Sequence, residues 1–370
     1  MGLDMITFKQ FLLQEGGNVQ IDDQEAERID LTKHNRTAIV KKVGTALAAI
    51  NAGFKAQFKK PIWSDALMKS KKYLSGSAFH FFNSEIDDKT FTKFKNSVGD
   101  IDTQVDKNMD AELKDFLTKN KGKDFGPVKL IGFKTTAGQH ITLWHLADPG
   151  INIQIDLEMV DFDEKGDPTE WSNFSHSSSW DDMTKGVKGV AHKYLLRALD
   201  APKLKDIVLK AKTARGTDKE VKSSETAFSV THGVRQKLKP VIGDDGKQVM
   251  VNGKPAYHEM DTKESKGDTS LPNIFKAYFG RDASADDLKK LGSFTGLIEL
   301  IKKTFKGPDQ KKIADGFART LWGPGAQGLY RADPQKDAEE KNGMMKVLLA
   351  ELGQKDTYQA ERDQFYASYK

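Results

Sequence analysis

Apolar and polar positions alternate in two distinct periods along this chain. From Arg36 to Phe58 the run RTAIVKKVGTALAAINAGFKAQF carries a continuous apolar stripe at helical spacing and predicts a long helix. An earlier stretch, DMITFKQFLLQE at 4–15, places Ile6, Phe8, Phe11 and Leu12 on one side of a short amphipathic helix that Gly16-Gly17 ends. LSGSAFHFF then reads as a Gly-Ser turn opening a helix, VGDIDTQVD as a strand and AELKDFL as a helix. The runs VKLIGFKT, HITLWHLA and INIQIDLEMVDF, rich in β-branched and aromatic residues, predict three more strands. After Pro168, WDDMTKGVKGVAHKYLLRALDAPKLKDIVLKAK reads as mainly helical. Charged loops and a hairpin, VIGDDGKQVMVNGKPAYHEM, fill 216–270, and helical patterns follow from Leu271 to the end. No internal repeat at periods of roughly 20–50 residues is present. The pattern predicts an α/β core around 60–210 and a helical domain from about 270.

Composition narrows the class. A chain of 370 residues has room for two domains, and 38% hydrophobic content with 21 Phe and five Trp supports a folded core. No run approaches the roughly 18 apolar residues of a membrane span, and no apolar segment follows a basic N-terminus as in a signal peptide. Met1-Gly2 does not fit a myristoylation signal, because position 6 is Ile6. The absence of cysteine excludes disulfides, thiolate zinc sites and a Cys nucleophile. A net charge of +5 is compatible with a nucleic-acid or nucleotide partner without requiring one.

The candidate chemistry lies in carboxylates. On the strand VGDIDTQVD, residues Asp100, Asp102, Gln104 and Asp106 share one face while Ile101, Thr103 and Val105 share the other. Carboxylates so close repel unless a cation lies between them, and hard oxygen ligands suit Mg²⁺ or Mn²⁺. An EF-hand loop is a poor fit, since Val105 stands where the loop needs Gly and Ala111 where it needs Glu. On a later strand Asp156 and Glu158 again share a face, opposite Ile153, Ile155 and Leu157. Upstream, Gly76-Ser77 opens a helix whose N–H groups and hydroxyl suit a phosphate.

This ordered set of Gly-Ser, Asp-x-Asp and a later lone carboxylate resembles the nucleotidyltransferase superfamily of DNA polymerase β, poly(A) polymerase and the CCA-adding enzymes. The resemblance implies an α+β fold, with a small mixed-sheet core flanked by helices and a helical C-terminal domain. It implies that Gly76 and Ser77 contact nucleotide phosphates, that Asp100 and Asp102 hold two divalent metals, and that Asp156 completes the site. Asp156 fits the family's apolar-Asp-apolar strand better than its rival Glu158. One departure is the interval of 24 residues between Gly76 and Asp100, longer than the family's dozen or so, which requires NSEIDDKTFTKFK to be an insertion. The family places further nucleotide-binding groups in the segment that follows, here Ser177, Ser178, Lys185, Lys188 and Lys193. Lys185 and Lys188 share a helical face, from which Lys193 turns away. Arg235, beside a turn in FSVTHGVRQKL, would clamp phosphate or substrate. His176 and His192 lack metal-ligand spacing and read as packing or hydrogen-bonding residues. LWGPGAQGLY fails the P-loop pattern and reads as a tight interhelical turn.

GDIDTQVD and FSHSSSWDDM also resemble phage-encoded members of that superfamily. Leu13-Gln14-Glu15 before Gly16 resembles the apolar-x-Glu cleavage signal that T4-like phages use to direct proteins into the prohead. The resulting plan has a targeting helix at 1–15, a nucleotidyltransferase-like domain at 16–210, a charged loop and hairpin region at 211–270, and a helical domain at 271–370. The activity implied is transfer of NMP from an NTP, with Mg²⁺ or Mn²⁺, to an RNA or tRNA 3′ end, a protein or a small molecule. Location would be the host cytoplasm or the phage capsid interior, with no membrane partner. Two alternatives stay open: a non-enzymatic packaged virion protein with a degenerate nucleotidyltransferase fold, and a metal-dependent phosphodiesterase.

Overall fold

The computed structural model describes residues 19–136, 138–177, 191–192, 195, 209–212, 218–221, 226–229, 233–236, 250–251, 254–255, 269–322, 334–352 and 359–367. The chain divides into two compact units, 1–183 and 184–370.

The first unit begins with a strap in which β1 (Gln20–Ile21) pairs antiparallel with β2 (Gln24–Glu25), the left-handed residues Asp22 and Asp23 making the turn. Strand β3 (Ile29–Asp30) follows. Helix α1 (Arg36–Phe58) has the bounds that its apolar stripe predicts. Asn35 caps it by accepting the Ala38 N–H at 2.9 Å, and Lys59 closes it in the left-handed conformation. Short helices α2 (Asp65–Ser70), α3 (Gly76–Phe81) and α4 (Asp88–Phe94) lead to β4 (Ser97–Val98), which pairs with β3. Then come β5 (Asp100–Asp106), α5 (Asp110–Asn120), β6 (Asp124–Phe125), β7 (Val128–Thr136), β8 (Gln139–Leu146), β9 (Ile151–Val160) and α6 (Glu170–His176).

The fold is mixed helix and sheet, of α+β type. Its five-stranded sheet has the order β5-β9-β8-β7-β6, so the last strand in sequence inserts beside the first. The β5–β9 pair is parallel and the remaining pairs are antiparallel. Period-two alternation gives the sheet two unlike faces. Ile101, Val105, Ile153, Ile155 and Leu157 join one hydrophobic core with Val43, Leu47 and Phe54 of α1 and Leu113 and Phe116 of α5. Aromatic edges bridge these layers: Phe54 to Phe116 at 5.4 Å, Phe116 to Phe125 at 5.4 Å, and Phe125 to Trp144 at 5.9 Å. On the opposite face Ile141 and Leu143 pack with Val19, Ile21 and Ala26 of the strap. The strap lies close enough that a Cβ on Gly132 would meet the Ile21 side chain at 2.5 Å.

In the second unit the described residues between 209 and 236 depart from the sequence expectation, being strands where a helix and charged loops were expected. Leu209–Lys212, expected within a helix, is strand β10, antiparallel to β11 (Asp218–Val221). Cross-strand pairing there overrides the helix propensity of LKAK. Strands β12 (Thr226–Ser229) and β13 (Gly233–Gln236) pair antiparallel, as do β14 (Met250–Val251) and β15 (Lys254–Pro255) within the predicted hairpin. Among the described residues six helices follow: α7 (Leu271–Phe279), α8 (Ala285–Lys290), α9 (Phe294–Thr304), α10 (Gly307–Trp322), α11 (Pro334–Leu352) and α12 (Gln359–Ala367). His192 is buried here, stacked 4.7 Å from Phe228, with Nε2 2.7 Å from the Leu291 carbonyl oxygen, which is a packing role. Among the described residues no helix is long and apolar enough to cross a membrane.

Candidate metal centre

Two parallel strands build the centre. Their pleat sends Ile101 and Val105 of β5 and Ile155 and Leu157 of β9 into the core, which leaves Asp100, Asp102 and Asp156 on the other face. The register sets Asp102 directly beside Asp156, and Thr103 Oγ1 pins the strands by donating to the Asp156 carbonyl oxygen at 2.9 Å. Ligand oxygens of Asp100, Asp102 and Asp156 thus lie within 4.8 Å of one another. Asp100 and Asp102 are half-buried, and Asp156 is only 7% exposed.

That crowding has an electrostatic cost. Burial raises the Asp156 carboxyl well above the usual carboxylate range, and the neighbouring Asp102 and Asp100 charges raise it further. Gln154 opposes the shift by donating to both Asp156 oxygens, at 2.9 and 3.1 Å. A divalent cation among the three side chains would remove the repulsion, and an all-carboxylate oxygen set matches Mg²⁺ or Mn²⁺.

The Gly-Ser turn lies against the same strand. Leu74 bridges Thr103, the Ser75 N–H donates to the Asp102 carbonyl oxygen at 3.1 Å, and the Gln104 N–H donates to Tyr73 at 2.6 Å. Gly76 follows with φ of +54°, a conformation that a side chain disfavours, so glycine belongs at this position. Ser75 stands at the N-cap of α3 but does not cap it. Its hydroxyl donates instead to Glu158 Oε2 at 2.6 Å. Ser77 is buried and accepts a hydrogen bond from Lys95 Nζ at 2.6 Å. Ser177 adjoins this turn through a parallel bridge to Gly76.

Of the residues expected at the site, the structure therefore brings together Asp100, Asp102, Asp156, Gly76, Ser77 and Ser177. Ser178, Lys185, Lys188 and Lys193 lie outside the described residues. So does the side chain of Arg235, whose backbone lies on β13 opposite Ala227. The 4–15 helix and the Gly323–Gly328 loop are likewise outside them. The long Gly76–Asp100 interval is accounted for by α4, capped by Asp87, which accepts the Thr90 N–H at 2.9 Å. Sequence reasoning missed Ser75, Lys95 and Gln154. The nearest signal for Lys95 was its place in the insertion, and for Gln154 its place two residues before Asp156 on the polar face. No family model, curated protein or solved structure matches this chain.

Proposed function

We propose that this chain is a metal-dependent nucleotidyltransferase with a polymerase β-like core, moving NMP from an NTP to a hydroxyl acceptor. The observation that carries the reading is the convergence of Asp100, Asp102 and Asp156 within 4.8 Å across a parallel strand pair, beside the Gly76-Ser77 turn. The three carboxylates would hold Mg²⁺ or Mn²⁺. The bound metal supplies charge neutralisation at the entering and leaving oxygens of an in-line displacement.

This chain's own groups do the rest. Ser77 and the ammonium of Lys95, already in contact, face the nucleotide phosphates. Asp156 accepts or orients the proton of the acceptor hydroxyl as the acceptor oxygen bonds to the α-phosphorus. The α–β bridging bond breaks and pyrophosphate leaves. The Ser75 hydroxyl occupies one oxygen of Glu158, which supports Asp156 as the third carboxylate of the set.

The test is incubation with each α-labelled NTP, Mg²⁺ or Mn²⁺, and host RNA or lysate. Label joined to a macromolecule or small acceptor is the expected result. Release of free labelled nucleotide without transfer would favour the phosphodiesterase, and an unchanged NTP pool would favour the non-enzymatic virion protein.

A further inference from the structure

One buried polar side chain beside the carboxylates has no part in the reaction just described. Gln154 is 5% exposed, lies on the Asp156 face of β9 and is in register with Asp100. Its amide spans two partners. Nε2 lies 2.9 Å from Oδ1 and 3.1 Å from Oδ2 of Asp156, while Oε1 accepts the backbone N–H of Val19 at 3.2 Å. The Val19 donor decides which way the amide points, because an N–H can face only the oxygen end, and the amino end is then left for the carboxylate. Val19 is itself fixed: its carbonyl oxygen accepts the Ala26 N–H at 2.9 Å, and its side chain is buried with Ile141 and Leu143.

We infer that Gln154 is a positioning residue that orients the Asp156 carboxylate for a divalent cation, with the Val19–Ala26 strap fixing Gln154 in turn. The inference rests on the metal reading above. Each Asp156 oxygen keeps lone pairs beyond the one that the amide uses, so donation from Gln154 leaves room for a cation on the side of Asp100 and Asp102. Partners that orient a metal-binding side chain in this way contribute about 10–100-fold to metal affinity.

Titration calorimetry of the full chain with Mn²⁺ alone tests this. Gln154→Met keeps the length and bulk of the side chain but offers no donor. It is expected to bind Mn²⁺ about 10–100-fold more weakly than wild type. In the transfer assay it should lower kcat while leaving KM for the NTP unchanged, a split that a purely structural role would not give. If Gln154→Met fails to fold, Val19→Pro removes the backbone donor while keeping an apolar side chain in the pocket, and is expected to weaken Mn²⁺ binding about two- to tenfold. Wild-type binding with unchanged affinity in the folded variant overturns the role of Gln154 and leaves the metal reading standing. A wild-type chain that takes up no Mn²⁺ overturns both.

Discussion

At the scale of single residues, Asp156 links the electrostatics of the centre to its stability. Its carboxyl titrates near 3.8 in the unfolded chain and well above that in the folded one. Between those two values the folded state binds the extra proton, so in metal-free protein this group's contribution to stability declines as pH rises through that window. Asp156→Asn removes the ionisation and should flatten that decline. Thermal unfolding in EDTA is expected to show a higher midpoint for the variant at pH 7, by about 2–4 °C for each kcal/mol of relieved repulsion, with the gain shrinking toward pH 4. A variant less stable than wild type at pH 7 would contradict the repulsive geometry. Gly76 has the opposite sensitivity. Its φ of +54° means that Gly76→Ala should destabilise by about 1–2 kcal/mol, measurable in a urea titration, while also displacing Ser77.

At the scale of elements, the turn that carries Gly76 and Ser77 is anchored from a distance by Arg36. This buried guanidinium, at the first position of α1, donates to the carbonyl oxygens of His80, Phe81, Asn83 and Ile86, and pairs with Asp88 at 3.2 Å. Arg36→Met would take this donor from the Phe81 and Ile86 carbonyls, each loss costing about 1–3 kcal/mol, and leave the His80 and Asn83 carbonyls with only their backbone donors. The expected outcome is a loss of more than about 3 kcal/mol in denaturant unfolding, with weaker NTP binding even where the fold survives. Most elements were legible in the chain itself: α1 from its apolar stripe, and β5, β7, β8 and β9 from their β-branched and aromatic runs. Leu209–Lys212 was not, because LKAK has no periodicity strong enough to outweigh helix propensity and its state is set by pairing with β11. Nor could local pattern show that Ser75 serves Glu158 instead of its own helix. That bond joins residues 83 positions apart, and it exists only because β9 inserts beside β5.

At the scale of the whole molecule, the legible part of the site was its residue types, and the hidden part was their register. The alternation of β5 and β9 assigns Asp100, Asp102, Asp156 and Glu158 to polar faces, but it takes the parallel alignment of Asp102 with Asp156 to select one carboxylate over the other. The strap was hidden for a similar reason: Val19 reaches Gln154 across 135 residues, a contact that no window of sequence contains. The central claim is that these three aspartates together hold a divalent cation, and anomalous diffraction from crystals soaked in Mn²⁺ tests it most directly. The predicted result is a manganese peak within coordination distance of Asp100, Asp102 and Asp156, lost in Asp102→Asn. Strong manganese occupancy elsewhere with no density among the three side chains would contradict it.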